Sequence, residues 1–543
     1  MEVATGSPPA NTRRRRPPAW TVVGVLVAAL VAGPLLALPL SFVGEGAALD
    51  SIAASLLPEA LRASLVLAAG VGAGTLLLGG SLAALVSFYD FPGRRWLDWA
   101  LVLPLAMPAY VLVFVLLGQY DYDGQLARAG VPLPEIRSTG GTIAVLTAVL
   151  YPYVYALGRG AFLAQSRETL EAARTLGLSH LRAIRRVALP LARPALAGGV
   201  ALAVMEALAD FGAVNLLGYR ALTDAIYRVW YGAFDQAAAL QLATVLVGLS
   251  LTLVALERLL RGRARYHQSL ARGDAPIPRR LRGPRAWLAA ALPTLLLVAV
   301  FFAPVAQLMV WAVESLIDGT FGAELLRDTV NTLLLATVAA TIAVGAATVV
   351  AYGRRVRPSR VGTVAARLSS LGYAVPGTVV AVAVFVPLAW VDRRVDDLGE
   401  SLLGIDPGLL LTGTIVGLVL AYVVRFHALG LFTVEARMDE IDPTLDQAAR
   451  GLGADRSRVF SDVHLPLLWP GILTAALLVF VEVMKELPAT ALLRPLGGDT
   501  LAIAVWEATK DSRFDTAALP ALLIVAVSLV PVVALIRFSR RRT

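Results

Sequence analysis

The chain has 543 residues, of which 57% are hydrophobic and only 16% charged, with a formal net charge of +9. An average soluble domain carries about 25% charged residues, so the main solvent is a lipid bilayer, and the basic excess reads as membrane orientation rather than nucleic-acid binding. The absence of cysteine excludes disulfides, thiolate metal sites and cysteine nucleophiles.

Residues 1–19, with Arg13 to Arg16 and several prolines, read as a disordered basic tail. A hydrocarbon core of roughly 30 Å needs about 20 helical residues. On that measure, runs near 20–43, 62–88, 97–118, 141–163, 193–217 and 237–260 form a first unit, 20–260. The run from Trp20 is too long for the core of a signal peptide and no clear small-residue cleavage site follows it, so it is the first span. An Arg-, Gly- and Pro-rich joint, 261–285, reads as a cytoplasmic linker. Runs near 286–313, 329–352, 368–391, 409–433, 468–493 and 516–537 then form a second unit, 286–543. The expected fold is an all-α membrane protein of about twelve transmembrane helices.

The loops fix its orientation. The N-terminal arginines, Arg94 and Arg95, the linker, Arg354, Arg355, Arg357 and Arg360, and Arg540 to Arg542 fall on one side. The opposite loops carry Asp121, Asp123, Asp392, Asp396, Asp397, Asp511 and Asp515. The positive-inside tendency puts both termini, together with the arginine-bearing stretches 168–190 and 444–466, in the cytoplasm.

A polar stretch between apolar spans, ETLEAARTLGLSHLRAIRRVALP at 168–190, returns as TLDQAARGLGADRSRVFSDVHLP at 444–466, 276 positions later (444 − 168). Ser166 and Ser179 in the first copy answer to Asp442 and Asp455 in the second, each suited to cap a helix start. Pro443 suits a first helical position. The element reads as helix, glycine break at Gly177 or Gly453, helix, and proline stop at Pro190 or Pro466. The repeat extends to LPLAMPAYV (103–111) and LGYAVPGTV (371–379). Order and orientation match in both units, which predicts a pseudo-twofold axis along the membrane normal.

Little else carries chemistry. All but two of the 48 basic residues are Arg, and the two lysines, Lys485 and Lys510, are in no GxxxxGK[ST] loop. Gly70, Gly72 and Gly74 fall inside a span, where close helix packing accounts for them. His180, His267, His427 and His464 make no metal-ligand spacing, and no Ser/His/Asp grouping follows from spacing. No cofactor is expected, and nothing supports an enzyme.

The repeated element resembles the EAA motif of permease subunits in binding-protein-dependent ATP-binding-cassette importers. The resemblance implies that the helix before each glycine docks in a partner ATPase, one of two copies on the cytoplasmic side. Glu171, Ala172, Ala173, Arg174 and Gly177, with Gln447, Ala448, Ala449, Arg450 and Gly453, are the coupling residues it implies. Ala172, Ala173 and Leu176 give a small, smooth face with Glu171 and Arg174 at its rim. Gln447 departs from the pattern by dropping the charge that Glu171 carries. The resemblance also implies a multi-pass protein of a prokaryotic cytoplasmic membrane and an extracytoplasmic substrate-binding protein.

Glu206 and Glu482 coincide in the repeat, roughly 18 Å into the spans that follow each element, and Asp210 and Glu486 coincide one turn further on, on the same helix face. Carboxylates at such depth face a watery path or a partner. Both readings stand: symmetry favours the path, and Lys485 beside Glu482 favours a salt bridge. Arg425 and His427 read as nearer the cytoplasmic end of their span, snorkelling or paired. ALADFGAVNLLG, IYRVWYG, EVMKELPATALLRP and VWEATKD are similar to the fused permeases of ferric iron importers. That likeness implies passage of Fe(III), with hard oxygen ligands as transient contacts. Thiamine and polyamine permeases share the layout, and an ion-coupled secondary transporter is the competing class.

Overall fold

The computed structural model describes residues 19–42, 51–120, 124, 128, 130, 135–261, 277–319, 323–356, 359–405 and 408–540. The predicted tail up to residue 18, linker residues 262–276 with His267, and Asp121, Asp123, Arg357, Arg541 and Arg542 lie outside them.

Helices dominate and repeat in order. The first unit runs α1 (Ala19–Ala37), α2 (Ser51–Phe88), α3 (Arg94–Ala100), α4 (Ala109–Tyr120) and α5 (Thr139–Leu163). It continues with α6 (Arg167–Thr175), α7 (His180–Ala209), α8 (Gly212–Leu216), α9 (Leu222–Arg228) and α10 (Gln236–Arg261). The second runs α11 (Pro284–Asp318), α12 (Ala323–Val356), α13 (Arg360–Ser369), α14 (Gly377–Leu403) and α15 (Ile415–Asp439). It closes with α16 (Pro443–Gly451), α17 (Val459–Met484), α18 (Pro488–Leu493), α19 (Leu501–Lys510) and α20 (Ala518–Arg540). Among the described residues the only strands are β1 (Tyr89–Asp90) and β2 (Arg279–Arg280), a parallel pair that ties the described end of the linker to the end of α2.

Each of the twelve predicted runs contains helix, but they differ in kind. Among the described residues eight helices are long and apolar enough to cross a membrane. The segment Arg94–Ala106 and α4, bent by 88°, make a ninth if taken as one span. That bend falls at Met107–Pro108, and the matching break before α14 is at Val375–Pro376. A proline has no N–H to continue a helix. The apolar stretches of α1 and α20 are shorter, Val22–Leu36 and Ala518–Ala534. The second half of α14 carries Asp392, Arg393, Arg394, Asp396 and Asp397, which remove it from the apolar set.

In the first unit α2, α5 and α7 pack on one another, as α12, α15 and α17 do in the second. Glycines set the approach: a Cβ on Gly70 or Gly74 would meet Ile143 or Thr147 at 2.5 Å, and one on Gly79 the Tyr151 carbonyl at 2.6 Å. The opening helices are exchanged. α1 lies on α12, α13 and α14 of the second unit, and α11 touches α3 and α4 of the first. Trp20 meets Tyr352 edge-on at 5.1 Å, and Trp311 meets Phe114 at 5.7 Å.

Candidate functional site

The two copies of the repeated element fold alike. The Ser166 hydroxyl accepts from the Thr169 amide at 3.3 Å, and the Asp442 carboxylate from the Thr444 amide at 2.8 Å. Asp455 caps the following helix by accepting from the Arg458 amide at 2.9 Å, whereas Ser179 makes no capping bond. Gly177 and Gly453 turn the chain at φ 87° and 85°, left-handed backbone that glycine adopts without a Cβ penalty. The predicted proline stop does not occur: α7 runs through Pro190 and α17 through Pro466. A wider π turn precedes each proline, at Ile184–Ala188 and Val459–His464, and absorbs a residue that cannot donate.

Glu171, Ala172, Arg174, Gln447, Ala448 and Arg450 are exposed, and Leu176 and Leu452 protrude with 85% and 90% of their surface accessible. Ala173 is buried against its own chain and Ala449 half-buried. The outward face therefore consists of Ala172 and Leu176 without Ala173, because one side of so short a helix must seat it. Glu171 pairs with Arg167 at 2.5 Å, one turn away; Gln447 carries no charge for such a pair.

The seating differs between copies. α6 is held by Leu170 and Ala173. In α16 the position of Leu170 is Asp446, which accepts from His464 Nε2 at 2.6 Å and from Arg355 at 3.2 Å. Arg355 also donates to the carbonyls of Met438 and Ile441. Burial pushes the Asp446 carboxyl up, but the bonds from Arg355 and His464 outweigh it and hold it below the usual range. Nothing in the spacing of Arg355, Asp446 and His464 announced this latch, since it joins three separate helices.

The deep acids converge between the units. α7 ends at Ala209, and Asp210, at φ −70° and ψ 120°, leaves the helix to cap α8, accepting from the Ala213 amide at 2.8 Å. α17 ends likewise at Met484, and Glu486 caps α18 by accepting from the Ala489 amide at 3.0 Å. Asp210 and Glu486 thus do not continue the faces of Glu206 and Glu482 as predicted. A carboxylate that satisfies the first amides of a new helix competes with continuation of the old one.

Glu206, Asp210, Glu482 and Glu486 line one cavity of about 120 Å³, together with Arg425, Lys485, Tyr110 and Tyr153. The two readings of these acids meet here, because acids that line the space are also paired. Lys485 Nζ lies 2.7 Å from Glu482 and Arg425 2.8 Å from Glu486. Glu206 has no ion-pair partner among the described residues. Arg425 sits mid-helix in α15 and turns to the cavity rather than snorkelling, while His427 is buried with Nδ1 3.2 Å from the Ala343 carbonyl. A Cβ on Gly377 would overlap the Arg425 guanidinium. Among the described residues no three His, Asp or Glu side chains converge as metal ligands.

One wall of the cavity, at Phe211, is backed by contacts that bridge the units. Phe211 packs on Trp506 at 5.6 Å, Trp506 Nε1 donates to the Asn215 side-chain carbonyl at 3.1 Å, and the Tyr231 hydroxyl donates to the Ala491 carbonyl at 3.0 Å.

Known proteins resemble this chain in sequence. The chain is 26% identical over 531 residues to an Fe(3+)-transport system permease protein, FbpB 2, of Haemophilus influenzae, covering 97% of this chain and 99% of that one. It is 28% identical over 206 residues to a molybdate/tungstate permease, WtpB, of Thermococcus kodakarensis, covering 38% and 79%. A sulfate permease, CysT, of Salmonella typhimurium is 31% identical over 181 residues, covering 32% and 65%. A family model described as the inner membrane component of binding-protein-dependent transport systems matches twice, at residues 76–266 and 343–543. Each match holds one repeated element and one pair of deep acids and leaves out the exchanged opening helix, and the chain belongs to this family of transport permeases, with two of its units fused in tandem.

Proposed function

We propose that this permease imports a hard multivalent cation, Fe(III), handed over by an extracytoplasmic binding protein. Two copies of an ATP-binding-cassette ATPase work α6 and α16 from the cytoplasm, where both termini also lie. The chain hydrolyses nothing itself: it is the transport component of an ATP-driven importer, set in the inner membrane as a multi-pass protein.

The observation that carries the cargo reading is the charge of the cavity. Four carboxylates face two cations there, a balance of −2 when all are ionised (2 − 4). Relatives named for molybdate and sulfate carry oxyanions, which such a lining repels. Carboxylates suit a hard cation, and the full-length relative is named for Fe(3+). At about 120 Å³ the cavity has room for several waters or a hydrated ion. Thiamine and polyamines are cations too and form the second reading, favoured by the same negative lining but not by its small volume.

Uptake by the reconstituted complex distinguishes these readings. Vesicles with the partner ATPases and binding protein accumulate iron when ATP is supplied, and neither molybdate nor sulfate competes. Accumulation of thiamine or a polyamine instead moves the cargo to the second reading. Uptake driven by an ion gradient without ATP overturns the importer mechanism.

A further inference from the structure

The lysine in the cavity is out of keeping with the rest of the chain. Of 48 basic residues only two are Lys, yet one of these carries its ammonium to 2.7 Å from Glu482. Its counterpart in the first unit, 276 positions earlier (485 − 276), is Ala209, which lines the same cavity without charge. The other cavity cation is equally one-sided. GTI at 141–143 and ALG at 156–158 recur with the same spacing at 413–415 and 428–430, which sets Arg425 against Tyr153. The carboxylates therefore come in equal pairs from the two units, and both cations come from the second.

The two cations are held differently. Arg425 and Glu486 keep only 14% and 4% of their side-chain surface accessible, and the guanidinium fills the space that a Cβ on Gly377 would take. Lys485 and Glu482 keep 25% and 34% accessible, at a depth where the accessible space is the cavity itself. An ammonium on a four-carbon stem is a point charge without a fixed fork, so it swings away from one carboxylate at little cost in directed bonds. Glu206, which lines the same space, has no ion-pair partner among the described residues.

We propose that Lys485 is a tethered counter-ion that stands in the place of the cargo. It neutralises Glu482 within an acidic cation site formed by Glu206, Asp210 and Glu482, and an arriving multivalent cation displaces it. The inference rests on the cation-import reading above. Three carboxylates facing one another deep in the membrane are costly without a counter-charge. With a firmly bound metal they would also release it too slowly, and conduction requires a site that is easy both to enter and to leave. A tethered ammonium meets both needs: it lowers the cost of the empty state, and it returns to Glu482 to expel the departing ion.

The test uses the complete transporter with its ATPases in detergent and Tb(III) as a hard trivalent probe, read by luminescence sensitised through nearby aromatics. Lys485→Met is expected to tighten Tb(III) binding by at least about tenfold, from removal of one competing charge at contact distance. Lys485→Arg keeps the charge and adds a fork that holds Glu482 more firmly, so it is expected to bind Tb(III) no more tightly than wild type, and adding Glu206→Gln to Lys485→Met abolishes the gain. Unchanged or weaker Tb(III) binding in Lys485→Met overturns the proposal. Ala209→Lys tests it from the other side: a second tethered charge is expected to cut cation uptake and Tb(III) affinity by about tenfold, and wild-type values in that variant also overturn it. The cargo reading is judged separately by wild-type uptake of iron against thiamine, so each inference fails on its own measurement.

Discussion

At Gly377 a hydrogen stands where a methyl would overlap the Arg425 guanidinium and crowd Glu486. The matching residue of the first unit is Ala109, where no such ion pair needs the space. Gly377→Ala is therefore expected to dislodge the Arg425–Glu486 pair at an overpacking cost of about 1–3 kcal/mol. Arg425→Leu, which leaves Glu486 buried and unpaired, costs more, about 3–5 kcal/mol. Thermal unfolding in detergent ranks the two, and a wild-type midpoint for Arg425→Leu would show that the pair contributes nothing to stability. Glu206 is the opposite case, a carboxylate in no ion pair among the described residues. Glu206→Gln is expected to leave the midpoint unchanged and lower iron uptake by more than about tenfold, as loss of one charged contact to the cation does. Equal loss of stability and uptake would make Glu206 a structural residue.

The helices α6 and α16 share a surface but not a seat. Leu176 and Leu452 protrude beside their glycines, and Leu176→Glu or Leu452→Glu is expected to lower co-purification of the ATPase without lowering the melting midpoint. Asp446→Asn separates the copies: it breaks bonds to His464 and Arg355 that have no equivalent under α6, and so loosens α16 alone. Because the folded-state Asp446 carboxyl is held below its ordinary value, its stabilisation is fully present above about pH 4 and is lost as pH falls through the lowered value. Protection of α16 amides from hydrogen exchange is thus expected to be flat from about pH 6 to 8 in this respect and to fall at acid pH in the wild type but not in Asp446→Asn. The caps at Ser166, Asp442 and Asp455 and the turns at Gly177 and Gly453 were legible in the sequence, since caps and left-handed glycines act within a few residues of themselves. The unused Ser179, the continuous helix through Pro190, and the breaks after Ala209 and Met484 were not. There the outcome depends on whether Asp210 and Glu486 bond forward to Ala213 and Ala489, a competition between two local structures that spacing leaves undecided. Arg425 was read as snorkelling or paired, and it is paired, with Glu486; which of the two held was not legible, because the direction a side chain takes follows from neighbours such as Gly377.

At the scale of the whole molecule the two units are interlocked rather than merely adjacent, since α1 packs on the second unit and α11 on the first. Movement of one unit against the other therefore has to bend around those exchanged helices, and the bonds to break are the ones that bridge the units near the cavity. Trp506 to Asn215 and Tyr231 to Ala491 are two such bonds, and Phe211, which packs on Trp506, is part of the cavity wall. If cargo passes this wall, the bonds must part once per cycle. The chain has no cysteine of its own, so a pair introduced as Asn215→Cys and Trp506→Cys can be bridged by a short bis-maleimide without competing sites. Bridging is expected to stop iron uptake by reconstituted vesicles while each single variant, treated alike, still transports. A reducible linker restores uptake on cleavage, which separates a locked wall from damage by the substitutions. Continued uptake with the bridge intact would mean that the wall stays shut throughout the cycle and that the cargo takes another route.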